Sequence, residues 1–453
     1  MSRQPAPQRP PVALTVAGSD SGGGAGVQAD LQTMAAHGAF GTSVLTAVTA
    51  QHTRGVETTH VLPVEEVRAQ LDAVAADFDL RAVKTGMLAT RPIVELVTEF
   101  AAGLDRPFVV DPVMVAASGD RLLSSDAEAA YEDLVAAATV ATPNADEAEV
   151  LTGIAVEDAE DAVAAGRDLR ELGVDHALVT GGHFGDDAVD VLVSDDGVHR
   201  FSHPRVADAA THGSGCTLSS AIAARLANGA SPVDAVHGAS AFMERAVRHY
   251  ADVGAGPGAV NHLVGLRERA ERQSTATAVR RILERFVEAD VSPLVPEVGT
   301  NVVGATTYAE SPAETAAVEG RINRTTDGVA PTGGVRFGAS GHVARYLLAV
   351  REFDPDRRFA CNCRFDDDVE AALDALDWPT VELDRQDQPD RGADRDGSTM
   401  QWAARKAYAD TDEPPVVVYD RGAVGKEPMC RVTARWADEL IDRMLALRDE
   451  VAG

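Results

Sequence analysis

The chain has 453 residues, 45% of them hydrophobic, which allows two or three domains that each bury a core. Its net charge of -30, from 71 acidic and 41 basic residues, repels phosphate backbones and argues against nucleic-acid binding. No run approaches the roughly 18 apolar residues of a membrane span, and MSRQPAPQRP carries no apolar stretch after its charges. A membrane anchor and a signal peptide are therefore not expected, and the expected compartment is the cytoplasm.

Residues 1–10 read as a disordered tail. Val12 to Ala17 is a buried strand, followed by a Gly-rich turn and a helix over about Val27 to His37. Ser43 to Ala50, Arg81 to Gly86, Pro107 to Asp111, Thr139 to Pro143 and His176 to Gly182 read as further strands, most with helical sequence between them. That alternation predicts an α/β fold with a largely parallel sheet covered on both faces. In Asp190 to His203, two apolar runs flank Asp-Asp-Gly, a hairpin signal. Helices at about Cys216 to Ala227 and Pro232 to Ala251 close a first domain over 11–265. Residues 266–276 read as a linker, with helix as an alternative. A second α/β or α+β domain over 277–450 opens with a helix (Val279 to Ala289), holds a strand at Val416 to Asp420 and ends with a helix (Ala434 to Val451). Asp384 to Gly397 is a polar surface loop.

Among the basic residues only Lys84, Lys406 and Lys426 are lysines. An acidic, arginine-dominated surface is the expectation for a haloarchaeal protein in a salt-rich cytosol, where counterions screen self-repulsion. The four cysteines lack C-x₂-C spacing, so neither a disulfide scaffold nor a zinc site is expected. Cys361 and Cys363, two residues apart, share one side of a strand and read as core.

The sharpest motif is THGSGCTLSSAIAARLANG (Thr211 to Gly229). Gly213, Ser214 and Gly215 precede an apolar-periodic helix, so their backbone N–H groups form an anion hole suited to a transferred phosphoryl group. Cys216 lies on the first helical turn, where a thiol pKa is typically lowered, and could take a proton from an attacking hydroxyl. Taken alone, the pattern is equally a helix cap with an inert cysteine. AGSDSGGGAGVQAD (Ala17 to Asp30) places glycines and two aspartates at the end of the first strand, where open sheets bind ligands. It lacks the dinucleotide fingerprint.

With TAVTAQHTRGV, VKTGML, VVDPVM, SGD, TPNADEA and GGH, these segments resemble the hydroxymethylpyrimidine/phosphomethylpyrimidine kinases of the ribokinase-like superfamily, over about residues 11–265. The resemblance implies a three-layer α/β/α fold, ATP as donor with Mg²⁺, and two successive phosphorylations of hydroxymethylpyrimidine, first to its monophosphate. It places Gly18, Asp30, Gln51 and Met87 at the pyrimidine. It places Asn144 on the nucleotide and Glu147 on the metal, through water. Cys216 takes a position that is aspartate in most of the superfamily. Thr180 stands where the family often has a lysine near the nucleotide phosphates, with Lys84 as one replacement cation.

In the second half, EGRINR, FGASGHVAR, NCRFD and GKEPM resemble the ThiN domain, the archaeal-type thiamine-phosphate synthase, over about 280–445. That resemblance implies condensation of the pyrimidine diphosphate with thiazole phosphate. It makes Arg321 and His342 catalytic, and Arg345, Arg364 and Lys426 are the candidate phosphate contacts. Ungoverned by the resemblance, the arginines read as surface ion pairs. The alternatives are a second domain that only senses thiamine phosphate, and a pyridoxal-type kinase. A homo-oligomer is expected.

Overall fold

The computed structural model describes residues 4–114, 128–182, 187–206, 212–384, 398–408, 413–423 and 425–453. Ser118 to Asp120, His183, Thr211 and most of the polar loop after Asp384 lie outside them. The chain forms two compact units, Met1–Gly265 and Leu266–Gly453.

The first unit runs β1 (Val12–Ala17), α1 (Gly26–Ala36), β2 (Phe40–Leu45), β3 (Ala47–His52), β4 (Gly55–Val61), α2 (Val64–Asp77), β5 (Leu80–Thr85), α3 (Arg91–Ala102), β6 (Phe108–Val110), α4 (Glu128–Ala136), β7 (Val140–Ala141), α5 (Ala145–Thr152), α6 (Ala159–Leu172), β8 (His176–Gly182), β9 (Asp187–Ser194), β10 (Gly197–Pro204), α7 (Ser214–Ala227) and α8 (Pro232–Arg248). Its main sheet has the order β10-β9-β8-β7-β6-β5-β1-β2. β2, β1, β5, β6, β7 and β8 pair in parallel. β9 and β10 form the expected antiparallel hairpin. The strands are continuous apolar runs because helices cover both faces. Leu14, Val16, Val83 and Val110 point into the core shared with Leu71, Val94, Tyr131 and Leu169. Ala13, Ala82, Val109 and Leu178 point the other way, against Ile222 and Val236. The result is the three-layer α/β/α sandwich.

One expected strand is really two. Ser43 to Ala50 breaks at Thr46, whose N–H donates to the Ala17 carbonyl and whose hydroxyl donates to the Met87 carbonyl at 2.6 Å. β3 therefore leaves the main sheet and pairs antiparallel with β4 as a separate two-stranded flap.

The residues expected as a linker, 266–276, are helical. They belong to α9 (Val264–Ala289), which opens the second unit's sequence. There follow β11 (Val302–Ala305), β12 (Thr315–Val318), β13 (Ile322–Thr325), β14 (Gly328–Pro331), β15 (Val335–Phe337), α10 (His342–Val350), β16 (Phe359–Arg364), α11 (Asp367–Leu376), β17 (Thr380–Leu383), α12 (Ser398–Tyr408), β18 (Val417–Asp420), β19 (Met429–Ala434) and α13 (Ala437–Ala452). A seven-stranded sheet, ordered β15-β12-β11-β16-β19-β18-β17, is antiparallel except for β17 and β18. Ile282, Phe286, Leu373 and Leu440 cover one face, and Val343, Leu347 and Ala404 the other. Cys361, Cys363 and Cys430 are buried thiols in the first of these cores.

Candidate active site

The first unit gathers its chemistry at the carboxyl ends of β1, β5, β6 and β7, the edge where open parallel sheets present ligand sites. The Gly-rich loop after β1 is held by Asp20. Its carboxylate accepts N–H bonds from Gly22 (2.7 Å), Gly24 (3.1 Å) and Ala25 (2.8 Å), and lies 3.2 Å from His212 Nε2. Burial alone would raise the Asp20 pKa, but the His212 contact and the Gly22 and Ala25 N–H groups hold it below the usual carboxylate range. Gly213 has φ +80°, and a Cβ there would lie 1.8 Å from the Gly24 carbonyl oxygen. Two glycine turns are thus pressed together, backbone to backbone, at the N-terminus of α7.

The expected pyrimidine residues separate into two groups. Gly18 and Met87 meet, since a Cβ on Gly18 would lie 2.3 Å from the Met87 methyl. Gln51, on the flap, reaches His212 at 3.5 Å. Asp30 does not join them. It is fully buried, accepting from Thr15 Oγ1 (2.6 Å), Ser220 Oγ (2.6 Å) and Lys84 Nζ (2.9 and 3.0 Å). Its oxygens are occupied by protein donors, so direct contact with the ring gives way to a supporting role. The same pair removes Lys84 as a replacement for the family lysine, because its ammonium is sealed in the interior. Burial would lower the Lys84 pKa, but Asp30, followed by Cys216 and Asp111, holds it above the ordinary lysine range.

Cys216 is half-buried on the first turn of α7. The expected lowering of its pKa is overturned. Burial pushes the thiol up to about 12, and Asp30 and Asp111 push the same way, against Lys84 and the Gly26 N–H. The half charge of a helix terminus loses to two nearby carboxylates and lost hydration.

On the nucleotide side, Asn144 caps α5. Its side chain accepts from Glu147 N (2.9 Å), and Glu147 returns the bond to Asn144 N (3.0 Å), a capping box. Thr180 bridges to Asn144 and donates its N–H to the Pro143 carbonyl at 2.9 Å. Glu147 is buried beside Asp111, a residue not singled out from the sequence although it ends the VVDPVM strand. Burial first, and then the charge of Asp111, raises the Glu147 pKa; burial likewise raises that of Asp111, against Lys84 and the Ser219 hydroxyl. Two hard oxygen donors that repel each other fit a divalent cation such as Mg²⁺, which would relieve the repulsion. A carboxyl raised on folding contributes stability that is fully present below its unfolded pKa of about 4 and is lost as pH rises through the folded value. In EDTA, the melting temperature of the first unit's transition should therefore fall between pH 5 and pH 8 by more in the wild type than in Glu147→Gln. MgCl₂ should recover the difference at pH 8. Calorimetry with matched slopes for both proteins would count against the pair.

In the second unit the expected residues are more dispersed. Arg321 is half-buried on the turn before β13, its stem alongside Gly299, and its carbonyl accepts from Thr332 N at 2.7 Å. His342 is exposed as the first residue of α10, and Arg345, one turn on, folds back over Gly341. Arg364, at the end of β16, instead lines a cavity of about 640 Å³ with Arg324. Lys426 is exposed on the loop between β18 and β19.

Comparison with known proteins supplies the families. Residues 20–261 match the family model described as phosphomethylpyrimidine kinase, and residues 278–446 match thiamine-phosphate synthase ThiN. The hydroxymethylpyrimidine/phosphomethylpyrimidine kinase of Streptomyces coelicolor is 50% identical over 257 residues, 56% of this chain and 96% of that protein. The thiamine biosynthesis bifunctional protein ThiED of Geobacter sulfurreducens is 44% identical over 262 residues, 57% of this chain and 54% of that protein. Among solved structures, the Bacillus subtilis pyridoxal kinase in complex with ADP superposes with a TM-score of 0.53 at 32% identity, covering 56% of this chain and 98% of that one. The chain belongs to the phosphomethylpyrimidine kinase family and carries, as its second half, a ThiN-type thiamine-phosphate synthase domain.

Proposed function

We propose that residues 11–265 phosphorylate hydroxymethylpyrimidine twice from Mg-ATP, and that residues 277–450 join the diphosphate to thiazole phosphate with release of pyrophosphate. The observation that carries the kinase reading is the convergence of Gly18, Met87, Gln51 and the α7 N-terminus at one sheet edge. Met87 packs directly on Gly18, where only a glycine leaves room for the thioether, so the two form one wall against which a planar ring can lie. Gln51 offers amide groups to its polar edge. The N–H groups of Ser214, Gly215 and Cys216 precede the first intrahelical bond, made by Thr217 N to the Gly213 carbonyl, and face developing negative charge. Asn144 and Thr180 hold the nucleotide; Asp111 and Glu147 hold Mg²⁺, which supplies charge neutralisation at the phosphates.

With its thiol protonated in the free chain, Cys216 acts as a base only after the arriving ligands draw off that proton. The second acceptor is a phosphate oxygen, already largely deprotonated near neutral pH. Cys216→Ala should therefore slow the first phosphorylation by about 10²-fold or more and the second by much less, measured by resolving mono- and diphosphate over time. Equal loss in both steps would remove the base role.

For the second unit we place Arg321 and His342 at the departing diphosphate, with Arg345, Arg364 and Lys426 as phosphate contacts. We further propose a cytoplasmic homo-oligomer adapted to high salt. Curated relatives of higher identity are pyrimidine kinases, which sets the pyridoxal-type reading aside. The test is a product assay in molar KCl with hydroxymethylpyrimidine, Mg-ATP and thiazole phosphate. Wild type should form thiamine phosphate, while His342→Ala should accumulate the pyrimidine diphosphate. Diphosphate accumulating in both would leave the kinase and turn the second unit into a sensor.

A further inference from the structure

The cavity of about 640 Å³ in the second unit is walled by two segments whose contact with each other is unusual. On one side, Pro296 to Gly299 form a tight turn, closed by Gly299 N to the Pro296 carbonyl at 2.9 Å, with Gly299 at φ +79°. Successive N–H groups in such a turn make a concave anion nest. On the other side, the loop between β18 and β19 sends Glu427 across. Its carboxylate accepts from Glu297 N at 2.8 Å and from Val298 N at 3.3 Å. The chain's own carboxylate thus sits in the nest.

The other groups around the nest sort by whether they are already engaged. Arg364 pairs with Asp366 and donates to the Pro293 carbonyl, and Asp366 also caps α11 through Val369 N at 3.1 Å. That ion pair is internally neutral. Arg324 gives one N–H to the Val295 carbonyl at 3.1 Å and is otherwise exposed on the cavity wall. Both N–H groups lie at the exposed rim of the cavity, so Glu427 holds them in competition with water and leaves no buried donor unpaired when it departs. A phosphate would take the same two N–H groups and add a charge-assisted contact to Arg324, which the Glu427 carboxylate does not make.

We propose that this cavity binds a phosphate group, and that Glu427 is a built-in stand-in that leaves the turn when the phosphate arrives. Arg321, His342 and Arg345 do not line it, whereas Arg364, placed above among the phosphate contacts, does. Two ligands of the proposed reaction carry this chemistry, thiazole phosphate as a monoester and pyrophosphate as a free anion. The inference rests on the cavity and not on the synthase reading.

Calorimetric titration of the full chain with thiazole phosphate and with pyrophosphate tests it. Arg324→Gln should weaken the ligand that belongs there about tenfold or more, the scale of a lost hydrogen bond to a charged group. Glu427→Gln keeps the side chain's size but weakens the competitor, and should tighten the same ligand at least threefold. Glu297→Gln removes one charge from the same wall without touching the nest and should give a smaller gain. The ligand that responds identifies which phosphate the site takes. Equal gains in Glu427→Gln and Glu297→Gln would reduce Glu427 to a bystander charge and overturn the stand-in. Binding insensitive to Arg324, or no binding of either anion by wild type, would overturn the site. Binding that follows this pattern in a chain that forms no thiamine phosphate would keep the site and remove only the synthase reading.

Discussion

Lys84→Met is expected to destabilise the first unit by about 3–5 kcal/mol, the usual cost of stripping one partner from a buried ion pair. The methionine nearly matches the lysine in volume, so little of the effect is a cavity. What remains is the Asp30 carboxylate, fully buried, keeping its bonds from Thr15 and Ser220 but losing its counter-charge. Because the chain has two units, a single melting curve mixes two transitions. Hydrogen exchange across β1 and β5 isolates the relevant one, and protection there should fall by roughly 10²–10⁴-fold. Adding Asp30→Asn should return part of it, since the amide no longer needs a cation. A Lys84→Met chain with wild-type protection would mean that Asp30 is neutral in the folded protein and that the pair is not ionic. The variant also bears on Cys216. Lys84 is the strongest influence lowering that thiol's pKa, so its removal leaves Cys216 still harder to ionise.

Gly213→Ala should abolish both phosphorylations, by more than about 10²-fold, while leaving the second unit's activity intact. Two costs add. A left-handed backbone costs an L-residue roughly 1–2 kcal/mol, and the new methyl would lie 1.8 Å from the Gly24 carbonyl oxygen. That oxygen is backbone held by Asp20, not the loose end of a side chain, so the turn or the helix must move. An ångström of movement at a phosphoryl-transfer site costs orders of magnitude in rate. Gly23→Ala separates the two costs, because Gly23 shares φ +80° but has nothing within 4 Å of the new methyl. It should lose only a few-fold. Thiamine phosphate made from supplied pyrimidine diphosphate and thiazole phosphate measures the second unit independently. Equal losses in the two variants would assign the whole effect to backbone conformation and none to the contact between the turns.

The sequence made the parallel sheet, its hairpin edge and the glycine turns legible because each is a local pattern. The places where it misled are set by distant partners. Ser43 to Ala50 is one unbroken β-type run, and its bend comes from Ala17 and Met87 seizing Thr46. Asp30 reads as a ligand contact in its loop, yet Ser220 and Lys84, 190 and 54 residues away, enclose it. The helix terminus alone misleads about the pKa of Cys216, since Asp30 and Asp111 enter only in three dimensions. The nest at Glu297 and Val298 was invisible because its donors are backbone N–H groups, which carry no residue identity.

The enclosure of Lys84 also has a practical meaning for anyone attaching probes. Apart from the α-amine, amine-directed reagents reach only exposed lysines, and of the three only Lys406 and Lys426 are exposed. Both lie in the second unit. A dye ester at limiting dose will therefore mark lysines of the ThiN-type half alone, leaving the kinase without a labelled side chain. The Lys426 label, next to Glu427, would stand beside the nest and report on its loop.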